Sequence, residues 1–149
     1  MKKVRENKTD NKGFTLVELI IVIAIIAMLI AMIAPNLTSF LDTASETTMN
    51  ANAKTAYTSA NAWVTQQRVA GVALSGTTDD KPVLIKLSGS ALAVTYRDGS
   101  ASTEYEPLAN LFNAGEFKDT TALEIWTTSD YKVTKVTWYE GSESANYPQ

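Results

Sequence analysis

The chain contains no cysteine and no histidine among its 149 residues, and only four prolines and seven glycines. Without Cys there is no disulfide, no thiolate nucleophile and no zinc site built on sulfur. Without His the commonest general base and metal ligand is missing. Small exported domains often use disulfides to supplement a limited core, so this chain must hold itself together by packing. Basic charge is also short, with 13 Lys and Arg against 16 Asp and Glu and a formal net charge of −3. Phosphate backbones are bound by basic surfaces, which argues against nucleic acid as a main partner.

What the chain does have is concentrated near its start. From Phe14 to Ala34 only Thr15 and Glu18 are polar. At about 1.5 Å rise per residue this run reaches roughly 30 Å as a helix, the thickness of a bilayer's hydrocarbon core. The basic residues Lys2, Lys3, Arg5, Lys8 and Lys12 precede it. A cleavable secretory signal has a shorter apolar stretch closing on a small-x-small site, and Ala31-Met32-Ile33-Ala34 is a poor one. A plain single-pass anchor accounts for the length and for a basic flank kept in the cytoplasm, with the C-terminal part exported. It does not account for Glu18, because an acid inside a membrane helix normally has a partner. Two partners are available. Thr15-x-x-Glu18 has the spacing of a capping box, in which the acid satisfies a free amide at the helix start. Alternatively, a cut after Gly13 creates an α-amine on Phe14, and Glu18 of one subunit can pair with Phe14 of another.

Lys12-Gly13-Phe14-Thr15-Leu16-Val17-Glu18, the apolar run and Pro35 together resemble the class III signal of type IV pilins and the related pseudopilins. The resemblance covers about the first third of the chain. It implies cleavage between Gly13 and Phe14 by a membrane prepilin peptidase, N-methylation of Phe14, and guidance of subunit docking by Glu18. It further implies a homopolymer raised by a pilus assembly platform. One departure stands out: Ala27 occupies the middle of the run, where the family often has a helix-weakening Gly. Pro35 removes an amide donor and crowds the carbonyl of Ala31, so a kink or local melting is expected there. Lacking Cys, the chain is similar to the Cys-free pilins found especially in Gram-positive bacteria. Loss of a leader of net charge +3 takes the formal charge from −3 to −6.

Four segments are expected: a leader 1–13, a transmembrane or filament-core half-helix 14–35, an amphipathic half-helix 36–70, and a loop and antiparallel β head 71–149. Beyond Pro35, apolar residues from Leu37 to Val64 recur at three- and four-residue spacing, which extends the helix to about Val69. Gly71 to Pro82 reads as a loop. Within it Asp79-Asp80 falls far short of the six or so oxygens that a calcium ion takes, so no metal and no other cofactor is expected. Val83–Leu87, Ala91–Arg97, Ala122–Thr128 and Tyr131–Tyr139 have strand character. A short helix or turn is expected over Pro107–Ala114, and a loosely held tail from Gly141. The fold class is thus α+β and pilin-like, a long N-terminal helix whose C-terminal half packs on a small antiparallel meander.

The function expected is structural: a pilus subunit held in the cytoplasmic membrane with its N-terminus inside, then polymerised into an extracellular filament. Two alternatives stand beside it. One is a pseudopilin of a type II secretion or DNA-uptake system. The other is a pilin-like adhesin whose head stacks a surface polysaccharide on exposed Trp126 or Trp138. Catalysis is not expected, because Glu104, Glu106, Glu116 and Asp119 have no spacing that fixes two carboxylates across a substrate.

Overall fold

The computed structural model describes residues 13–148. A single helix, α1 (Leu16–Ala70), opens the chain. It is long because no glycine interrupts it and its residues are mainly Ala, Ile, Leu, Met and Thr. It stops at Gly71, whose φ of 70° is open to glycine at little cost. There the Val72 amide donates to the Gln67 carbonyl and the Gly71 amide to that of Arg68, a Schellman closure. The helix is unbroken at Pro35, so the melting expected there is absent from the subunit. Proline deletes one amide only, and the surrounding turns persist. In the following turn the Pro35 carbonyl accepts an additional bond from Thr38 Oγ1 at 2.9 Å.

The chain divides into two compact units, one ending at Asp42 and one beginning at Thr43, with α1 contributing to both. The first holds the apolar run, whose large side chains are all exposed, and by length and composition it can cross a membrane.

The second unit is a five-stranded antiparallel sheet with one face against the C-terminal part of α1. Its strands are β1 (Val83–Ser88), β2 (Ala91–Tyr96), β3 (Thr121–Thr127), β4 (Val133–Glu140) and β5 (Glu143–Tyr147). Met49, Ala53, Ala56, Ala60, Trp63 and Val64 form the buried stripe of α1. Three alanines lie in that stripe, and the sheet's share of the same buried cluster includes Ile85, Leu123 and Trp138, side by side on adjacent strands. Two 3-10 segments, Thr103–Leu111 and Ala114–Glu116, precede β3, and the first adds Tyr105 and Leu108 to the core.

Three expectations need correction. The sheet is not a simple meander: its order is β2-β1-β3-β4-β5, so the chain leaves the β2 edge and returns to pair β3 with β1. That return route starts four residues earlier than the short helix placed at Pro107–Ala114, because Tyr105 is itself a core residue. Nor is the tail loose, since Glu143–Tyr147 adds a fifth strand beside β4. Its register puts Ala145 in the core and the Tyr147 ring edge-on to Tyr57, with centroids 5.0 Å apart.

The loop before β1 is pinned to the end of β3. The Thr77 amide donates to the Thr127 carbonyl, and the Thr127 amide to Thr77 Oγ1, each at 2.8 Å. Gly76, one residue earlier, has φ 75°, and a Cβ placed on it meets the backbone nitrogen of Ser129 at 2.8 Å. Gly76→Ala therefore combines strain with a backbone clash. It is expected to cost about 1–3 kcal/mol, read from the thermal melting of the full chain in detergent.

Candidate assembly site

Near the N-terminus the local sequence dictates the geometry. Thr15 closes the first turn, its carbonyl accepting from the Leu19 amide at 3.2 Å. The Thr15 amide and the Thr15 hydroxyl both donate to Glu18 Oε2 at 2.8 Å, and the Glu18 amide donates to Thr15 Oγ1 at 3.2 Å. This reciprocal capping box satisfies donors that no preceding turn can reach. Both bonds to the carboxylate land on Oε2, leaving Oε1 without a partner among the described residues. The capping role and a second role for Glu18 are therefore compatible in one geometry.

Phe14 is 88% exposed. A Cβ added to Gly13 meets nothing within 4 Å, so the subunit's own packing does not require glycine there. Lys12 lies outside the described residues. Pro35 sits within the same exposed apolar helix as Glu18.

In the head, the two tryptophans singled out as stacking platforms are both covered. Trp138 is 3% exposed, on the helix-facing side of the sheet, its ring 5.1 Å from that of Phe117. Trp126 lies on the opposite side and is 7% exposed, with the Arg97 guanidinium 5.5 Å and Lys135 Nζ 4.8 Å from its ring centroid. Neither ring presents an open face. Strand alternation decides which side each takes, and two cations cover the one that faces away from the helix.

A charged cluster beside Trp126 was not singled out in the sequence. Glu124, between core residues Leu123 and Ile125, faces away from α1 with its side chain only 7% exposed. Arg97 Nε donates to its Oε1 at 2.7 Å, Arg97 Nη2 donates to Oε2, and the Tyr139 hydroxyl donates to Oε2 at 2.8 Å. Burial pushes the Glu124 carboxyl up, but the bonds from Arg97 and Tyr139 and the charges of Arg97 and Lys135 outweigh it, and the net shift is downward. Burial and the same carboxylate push the Tyr139 phenol up. The only sequence signal for this cluster was one acid in the middle of an otherwise apolar strand.

Two of the other acids considered in the sequence tie loops together. Glu104 accepts from the Tyr96 hydroxyl at 3.0 Å and from Ser75, a structural tie between loops. Asp79 contributes its backbone carbonyl to Arg97 and Trp126. Among the described residues no group of three or more carboxylates is arranged to hold a metal ion.

Residues 8–34 match a family model described as the prokaryotic N-terminal methylation motif. No curated protein and no solved structure matches the chain. The family match ends at residue 34, so the head rests on its own architecture. With the capping box, the exposed apolar helix and the five-stranded head in place, the chain carries the class III signal peptide of type IV pilins ahead of a pilin-like α+β fold.

Proposed function

We propose that this protein is the structural subunit of a type IV pilus. It waits in the cytoplasmic membrane with its basic N-terminus inside, is cut between Gly13 and Phe14, is N-methylated on Phe14, and polymerises through α1. The observation that carries this reading is the match of residues 8–34 to the methylation motif, in register with Glu18 and the apolar run. Two features support it. Glycine at position 13 has no packing reason among the described residues, which fits a role in processing rather than in folding. The apolar side chains of the first unit are uncovered, which suits lipid before assembly and neighbouring helices after it.

Assembly follows from these parts. Helices leaving lipid keep their apolar surface dry only if other helices replace the lipid chains. Glu18 leaves with them and cannot stay unpaired in a protein bundle, where an isolated charge is costly. The Phe14 amine of a neighbour supplies a cation for the open Oε1, and this pairing selects one axial stagger.

The test is the intact mass and N-terminal sequence of protein sheared from the surface of the native host. A chain beginning at methylated Phe14 in a filament fraction is expected. Uncut protein confined to membranes, in cells with an active prepilin peptidase, overturns the proposal in favour of a plain anchored domain.

A further inference from the structure

The sheet face turned away from α1 carries a groove of about 290 Å³ lined by Asp79, Arg97, Trp126, Thr134, Lys135 and Tyr139. Its floor is built rather than incidental. Glu124, almost wholly buried behind it, holds Arg97 through Nε and Nη2. Trp126 sits beneath both cations. Arg97 is thus fixed in position, while its third nitrogen, Nη1, keeps only a long 3.5 Å contact to the Asp79 carbonyl. Lys135 is exposed and forms no ion pair among the described residues. One spare guanidinium edge and one ammonium, held over the Trp126 ring but in no ion pair among the described residues, therefore line the same small space.

The donors and acceptors of the lining select the ligand. Glu124 and Asp79 balance Arg97 and Lys135 in formal charge, so what suits a carboxylate is the placement of two cationic donors, Arg97 Nη1 and Lys135 Nζ, on one groove. A carboxylate offers each of its two oxygens one charged donor, and such charge-assisted bonds are the strong ones. The other lining groups are acceptors. The Tyr139 hydroxyl spends its proton on Glu124, Thr134 spends its proton on the Trp126 carbonyl, and Asp79 lines the groove with its backbone carbonyl turned to Arg97 and Trp126. Donors for a carboxylate beside acceptors for hydroxyls describe a sugar acid. We propose that this groove binds a uronate residue of an acidic glycan, with Arg97 and Lys135 on the carboxylate and Asp79, Tyr139 and Thr134 receiving ring hydroxyls. Trp126 then serves as the floor that orients two cations, not as a stacking platform. The site lies wholly within the head and does not depend on polymerisation.

Calorimetric titration of the full chain in a neutral detergent with trigalacturonate tests this, with maltotriose as the uncharged comparison. Saturable binding of trigalacturonate is expected, weakened by salt and absent for maltotriose. Lys135→Gln removes an exposed ammonium and is expected to lower affinity at least fivefold while the melting temperature falls by no more than about 5 °C, the scale of one lost exposed cation–ring contact. Lys86→Gln, on the same face but outside this groove, is expected to leave affinity within twofold. No trigalacturonate binding, equal binding of maltotriose, or equal losses in the two lysine variants overturns the assignment.

Discussion

Cells producing Glu18→Ala are expected to hold normal amounts of cut subunit in their membranes but to yield at least tenfold less sheared filament. Ala is the strongest helix former and enters lipid without penalty, so insertion and α1 itself survive the change. What disappears is the carboxylate bonded to the Thr15 amide and hydroxyl, together with the open Oε1. A comparison with Glu18→Gln separates the two roles. The amide oxygen of Gln can still accept from Thr15 but carries no charge for a neighbouring Phe14 amine. Filament loss in both variants assigns assembly to the charge. If Glu18→Gln restores filaments while Glu18→Ala does not, Glu18 acts as a helix cap alone and the trans pairing is wrong.

In the head, the largest loss is expected from Leu123→Ala. Leu123 is fully buried at the centre of β3, the middle strand, and its register partners are Ile85 on β1 and Trp138 on β4. Paired strands on both sides hold its surroundings in place, so the space left by a shortened side chain closes only in part. Such truncations cost about 2–5 kcal/mol. Against a total of about 5–15 kcal/mol for a typical domain, that is a large share. A 60–100-residue domain loses roughly 4–8 °C of melting temperature per kcal/mol, so a fall of at least 8 °C is expected. Near-ultraviolet circular dichroism of the full chain in detergent reads it, because buried Trp63 and Trp138 report on core packing. Leu111→Ala is the control: Leu111 is 42% exposed, and a change within about 0.5 kcal/mol is expected. Equal losses in the two variants would mean that the core is not centred on β3.

The sequence by itself determined the elements whose causes are local. The capping box joins residues three apart, and α1 follows from a run without glycine whose apolar spacing changes from continuous to amphipathic. The strand segments of β1 to β4 followed from composition and from the turn residues between them. The tail was missed because Glu143-Ser144-Ala145-Asn146-Tyr147 has weak strand propensity of its own. It becomes a strand through its pairing with β4 and through Tyr147 on Tyr57, and no neighbour within the segment announces either contact. The head surface was hidden for the same reason. Arg97 and Glu124 are 27 positions apart, and Glu124 and Tyr139 are 15 apart. Arg97, just past the end of β2, reaches Glu124 because β3 lies beside β1, and Tyr139 reaches it from β4 on the other side of β3; that order is chosen by how the whole sheet buries its apolar face. Burial of Trp126 under two cations, and of Trp138 in the core, is decided at the same level. Propensity acts over a few residues, whereas which strand lies beside which depends on the packing of the whole domain, and only the tertiary structure contains it.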